Sequence, residues 1–184
     1  MRILVAYYTQ TRNTEAVAQA IHAEALAHGH SADLKRFRRR RPEDLNEYEI
    51  VIVGSPCHHS DLAKPVKRLL AQLPQSPPFK LAGFATHATY LPEGSDRRRQ
   101  LHEEWAGRCV KSFEDACRER SIPWAGFFGC QGAPSKSIEL FIHRAIFKDP
   151  DEWAEYKAEI HKHPSEEDLE KARSFARGVI DEIG

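Results

Sequence analysis

Cysteine is scarce in this chain, four in 184 residues at irregular spacing, which is no disulfide scaffold. Long apolar runs are missing too. The longest early one, Ile3 to Tyr8, is strand-sized, far short of the roughly 18 residues of a membrane-spanning helix. No basic, apolar leader suggests export, so a cytoplasmic protein is expected. Net charge is also absent, with 27 Lys and Arg against 27 Asp and Glu, and that gives nucleic-acid binding little support. What is present is an ordinary globular balance, 41% hydrophobic and 29% charged, in a length that suits one domain spanning 1–184.

The neutral total hides segregation. Five of the six residues from Arg36 to Arg41 are arginine, and Arg97, Arg98 and Arg99 make a second cluster. Between Asp149 and Glu170, nine acidic residues face only Lys157 and Lys162. Such runs belong either to a surface patterned for a charged partner or to plain solvated faces. An acidic partner docking near Arg97–Arg99 is one expectation.

Residues 2–9 carry a nearly continuous apolar run, the mark of a strand covered on both faces. Val17, Ala20, Ile21 and Ala25 then recur at helical spacing up to Gly29. Strands are predicted over 32–37, 48–54, 79–86 (broken by Gly83) and 123–130. Val66, Leu69, Leu70 and Leu73 form a helix stripe after Pro65, and Leu101, Trp105, Cys109, Phe113 and Cys117 predict one long helix. Ser165 to Asp168 has the form of a capping box, before a last helix with its stripe on Leu169, Ala172, Ala176, Val179 and Ile183. Strands alternating with helices predict a doubly wound five-stranded parallel sheet with helices on both faces. Residues 131–163 are too long for an ordinary connection. Their pattern gives two amphipathic helices, one on Ile138, Phe141, Ile142 and Ile146 and one on Trp153, Tyr156 and Ile160, read as a helical insert that is a lid or a contact surface.

In such sheets ligands bind beyond the carboxyl ends of the strands. The first end, Thr9-Gln10-Thr11-Arg12-Asn13-Thr14, holds three threonines, a glutamine and an asparagine, more than a helix cap needs and suited to phosphate at a helix N-terminus. This loop resembles the phosphate loop of the flavodoxin family, whose pattern is Thr-x-Thr-Gly-x-Thr, with Arg12 in the glycine position. The resemblance implies a flavodoxin-like fold that binds FMN at three loops, with phosphate at Thr9, Gln10, Thr11, Arg12, Asn13 and Thr14. It implies a second loop, Ser55-Pro56-Cys57-His58-His59, over one face of the flavin. The third loop is His87-Ala88-Thr89-Tyr90, with Tyr90 the candidate to stack on the ring. With no glycine after Gly54, any positive φ in the second loop is costly. The implied function is electron transfer between a reductase and an acceptor protein. The rival is an FMN-dependent NAD(P)H:quinone-type oxidoreductase, with the insert forming a substrate pocket or a homodimer contact. A flavin-free scaffold is a third class.

Cys57, His58, His59 and Asp61 are residue types that suit zinc, but no second ligand pair stands nearby in sequence, so no metal is expected. Cys109 and Cys117, eight residues apart on one helix, are about 12 Å apart by helical rise and cannot bridge. A phosphorylation-receiver domain is disfavoured because the first strand end offers no carboxylates.

Overall fold

A computed structural model describes residues 1–38 and 45–182. Of the arginine run, Arg39, Arg40 and Arg41 lie outside the described residues, as does Ile183 of the last helix's stripe. In chain order the elements are β1 (Arg2–Tyr7), α1 (Asn13–Ala27), β2 (Ser31–Arg36), β3 (Ile50–His58), β4 (Asp61–Leu62), α2 (Lys64–Ala71), β5 (Lys80–His87), α3 (Asp96–Trp105), α4 (Arg108–Arg120), β6 (Trp124–Gln131), α5 (Lys136–Ala145), α6 (Pro150–Ile160) and α7 (Glu166–Asp181). Five strands run parallel in the order β2-β1-β3-β5-β6, and the two-residue β4 folds back antiparallel on β3. In the centre of the sheet Val5 pairs with Leu34 on one side and Ile52 on the other, and Ile52 pairs with Ala82.

Alternate residues of these strands point to opposite faces, and both faces are apolar. Ile3, Val5, Ile50, Ile52, Ala82 and Phe84 pack under Val17, Ile21 and Ala25 of α1 and Ala172, Ala176 and Val179 of α7. Leu4, Val51, Val53, Leu81 and Ala85 pack under Val66, Leu69 and Leu70 of α2 and Cys109, Phe113 and Cys117 of α4. The predicted capping box of α7 is formed, with Ser165 and Asp168 each bonding the other's backbone N–H.

Two predicted elements differ. The strand of 79–86 is not broken at Gly83; β5 runs through it, and the glycine is there because the Phe113 ring lies directly over it. A Cβ at Gly83 would stand 2.7 Å from Phe113 Cδ2. The long helix predicted from Leu101 to Cys117 is two helices. α3 stops at Trp105, Ala106 leaves the helical region at φ −143, and α4 starts after Gly107. The break is stabilised from outside, since the Arg108 N–H donates to the Ser60 carbonyl at 3.2 Å. It turns α3 away from the sheet's face and over its carboxyl end.

The Gly83–Phe113 contact makes a measurable prediction. Gly83→Ala costs about 1–3 kcal/mol through overpacking. Combined with Phe113→Leu, which trims the opposing ring, it costs less than the sum of the two single changes. Urea unfolding of both single variants and the double variant checks this.

Candidate functional site

The strand order reverses between β1 and β3, so the loops that follow them leave in different directions and open a crevice. Gln10 after β1, Cys57 to Ser60 at the end of β3, and Ala88 and Thr89 after β5 line a cavity of about 430 Å³ there. Its roof comes from outside the sheet. Leu101 and Trp105 of α3, Ile138, Phe141 and Ile142 of α5, and Ile146 and Phe147 close it with apolar surface. The volume falls within the roughly 300–1,000 Å³ of small-molecule sites. The sequence marked Leu101 and Trp105 as part of a helix stripe and Ile138, Phe141, Ile142 and Ile146 as the stripe of an insert read as a lid or a contact surface; it did not single out Phe147.

The phosphate-like loop has a particular backbone. Arg12, where the family pattern has glycine, adopts the left-handed conformation at φ 70. Its N–H donates to Thr9 Oγ1 at 3.0 Å, and its carbonyl accepts from Ala16 N–H. Its side chain is 82% exposed and pairs with Glu15 at 2.9 Å. No side chain caps α1, which leaves its first N–H groups available to an anion. The predicted ligands divide. Gln10 faces the cavity, and Thr11 is exposed beside it in the chain. Thr14 is buried with its hydroxyl on Thr86 Oγ1 at 2.9 Å, and Asn13 donates its amide to the Ala133 carbonyl at 2.7 Å. Those two side chains hold the loop to β5 and to the segment after β6.

The second loop is a two-residue hairpin. Cys57 pairs with Leu62 and His58 with Asp61, and the turn residues His59 and Ser60 have φ 51 and 64. A tight turn of this kind needs positive φ at both positions, so the second loop takes on the conformation that the absence of glycine makes costly. Ser55 is fully buried and uses its hydroxyl on the Pro56 carbonyl and Ala63 N–H. Burial lowers the His58 pKa, with His59 adding to the effect, so its imidazole is neutral at pH 7. The Asp61 carboxylate takes bonds from Lys67 Nζ, Ser112 Oγ and its neighbour Leu62 N–H. Burial opposes its ionisation, but these donors win and hold its pKa low. Among the described residues no three His, Cys, Asp or Glu side chains gather as metal ligands.

The third loop places its residues unevenly. Ala88 and Thr89 reach the cavity, but Tyr90 does not line it. Tyr90 meets Phe147 and Tyr156 edge-on and carries the Arg98 guanidinium 4.6 Å over its face. It belongs to a separate cavity of about 390 Å³ between α3 and α6. Arg97 and Arg98 pair with Glu152 and Glu155 of α6, and Arg99 with Asp96. Arg97 and Arg98 are thus matched by the chain's own acids and fasten α3 to the insert, while Arg99 pairs within α3. The insert covers the cavity in this structure and is held there also by the Tyr156 hydroxyl, which donates to the Ala88 carbonyl at 2.6 Å.

His87 is buried, with Nδ1 3.2 Å from the Thr89 carbonyl and no partner for Nε2. It positions the third loop instead of lining the cavity. Burial, and then neighbouring His102, push its pKa down to about 3. In the unfolded chain a histidine takes a proton near pH 6.5. Between those values the unfolded state binds a proton that the folded state refuses, so stability falls as pH drops from about 6.5 toward 3. His87→Leu removes that component. Urea unfolding at several pH values should show the difference between wild type and variant shifting steadily in favour of the variant on acidification; a constant difference would count against a neutral buried His87.

With the geometry in place, comparison with known proteins is direct. A sequence model described as Flavodoxin domain matches residues 4–177. No curated protein matches the chain. Among solved structures, oxidised Flavodoxin 2 from Bacillus cereus superposes with a TM-score of 0.63 at 20% identity, covering 99% of both chains. A flavodoxin from the domain Archaea gives 0.61 at 14% identity over 100% of this chain and 99% of its own. A flavodoxin, WrbA-like protein from Agrobacterium tumefaciens gives 0.52 at 13% identity over 98% and 96%. At these identities the structures speak for the fold, and the sequence match across nearly the whole length speaks for descent: the chain belongs to the flavodoxin family.

Proposed function

We propose that this protein binds FMN in the roofed cavity and transfers electrons between a reductase and an acceptor protein. One juxtaposition carries the reading: an uncapped helix N-terminus and a largely apolar cavity meet at the point where the strand order reverses. The residues fit the group. The start of α1, with Gln10 and Thr11, suits the phosphate dianion. The hairpin Cys57–Ser60 and the Ala88–Thr89 segment suit the two sides of a flat ring, and Trp105 and Phe147 exclude water above it. FMN supplies one- and two-electron chemistry when bound; the protein's part is to hold, orient and shield it.

The roof favours a second reading, an NAD(P)H:quinone-type oxidoreductase. Ile138, Leu140 and Phe141 of α5 stay about half exposed, at 49%, 48% and 48%, and Ile138 and Phe141 also line the cavity. Apolar side chains at a cavity mouth suit a flat apolar substrate better than a protein partner's polar rim.

Two measurements test these readings. Thr11→Ala loses a charge-assisted bond worth about 1.5–3 kcal/mol, so FMN affinity falls roughly ten- to hundred-fold while riboflavin affinity stays unchanged. Equal losses for both ligands would displace the phosphate from α1. Anaerobic mixing of the FMN-loaded protein with NADH or NADPH separates carrier from enzyme. The carrier keeps its oxidised flavin absorption with nucleotide alone and bleaches only when a reductase is added. Bleaching by nucleotide followed by recovery with a quinone would establish the second reading instead.

A further inference from the structure

Cys57 and Cys109 meet where the hairpin abuts the break between α3 and α4. Cys57, near the end of β3, is half-buried and lines the cavity. Its thiol donates to the carbonyl of Trp105, the last residue of α3, at 3.1 Å. Cys109 is buried in the first turn of α4, and its thiol turns back toward the Ser60 carbonyl of the hairpin at 4.0 Å. Each sulfur therefore reaches into the other's element. The two thiols also interact closely enough for Cys57 to push the Cys109 thiol's pKa up. The other cysteines stand apart. Cys130 lies in the core on the opposite face of the sheet, and Cys117 is eight residues along α4, about 12 Å by helical rise.

We propose that Cys57 and Cys109 form a reversible dithiol–disulfide pair in the wall of the cavity, oxidised by low-molecular-weight disulfides that enter there. The chemistry balances without any bound group. The Cys57 thiolate attacks one sulfur of a disulfide RSSR, the S–S bond breaks, and RS⁻ leaves and takes up the proton that Cys57 gave. Cys109 then attacks the Cys57 sulfur of the mixed disulfide, expelling the second RS⁻, which carries off the Cys109 proton. Two protein thiols lose two electrons, and one RSSR becomes two RSH. Roles follow from position. Cys57 has access to the cavity and is the attacking sulfur; Cys109 is reached only from Cys57 and is the resolving one. The neighbouring Cys57 side chain, with burial second, pushes the Cys109 thiol up, so Cys109 is the poorer first nucleophile. Bond formation brings the two sulfurs to about 2.05 Å and fastens the hairpin covalently to the head of α4, at the place where Arg108 N–H already holds Ser60.

The test uses the full chain as purified, fully reduced and then equilibrated anaerobically with graded mixtures of oxidised and reduced glutathione. Samples are quenched with N-ethylmaleimide in denaturant and read by intact mass and peptide mapping. The expected result is the concerted loss of two alkylatable thiols, a Cys57–Cys109 linked peptide, and full alkylation of Cys117 and Cys130. Cys109→Ser should stop at a glutathione adduct on Cys57, and Cys57→Ser should take up no glutathione at Cys109. Near-UV circular dichroism confirms that the variants are folded, and the wild-type map stands without them. Stable glutathionylation of wild-type Cys57 without closure overturns the proposal. So does linkage of any other pair, or retention of all four thiols under excess oxidised glutathione.

Discussion

A parallel sheet covered on both faces permits almost no polar chemistry along its length. Every interior position of β1, β3 and β5 meets helix side chains on one face or the other, and an unpaired polar group there would cost several kcal/mol, of order 2–7. Hydroxyls, imidazoles and thiols are therefore pushed to the carboxyl ends, where the chain leaves the sheet. Thr86 and His87 stand at the last two positions of β5, Cys57 and His58 at the last two of β3. In the crevice between the β1 and β3 connections such groups face a shared space, and the site follows from the burial of the sheet.

What turns that crevice into a cavity is a third, smaller core that contains no strand. Ile142, Phe147, Tyr156 and Ile160 of the insert region bury against Ala88, Tyr90 and Leu101. Polar ties reinforce it, from Asn13 to Ala133, from Tyr156 to Ala88 and from Arg97 to Glu152. The exposed ion pairs are individually weak, whereas the buried rings supply most of the hold. The roof is thus attached to the very loops it covers.

Three residues in the site hold a left-handed backbone without glycine: Arg12, His59 and Ser60. Each such conformation costs of order 1–2 kcal/mol and persists only where its surroundings fix it. Around Arg12 the fixing groups are Thr9 Oγ1 and the first turn of α1. Around the hairpin they are the register of β3 with β4 and the Arg108 N–H on Ser60. Rigidity at these points keeps the cavity's floor defined.

The sequence by itself determined the layer order, the strands and helices of the sheet, the capping box of α7 and the helical nature of the insert. These are local properties: apolar runs, 3.6-residue periodicity and capping chemistry are written within a few neighbouring residues. Only the tertiary structure decided which of those side chains face the cavity. It sent Thr14 to Thr86, buried His87, moved Tyr90 under Arg98 and matched Arg97 and Arg98 with the acids of α6. It also divided the long helix at Gly107 and set the break against the hairpin that carries Cys57, from far along the chain. Each of these outcomes depends on a partner dozens of residues away or on the packing of an element with no strand to anchor it. Periodicity carries no record of such pairings, because they are set by how separate layers meet and not by how each one forms.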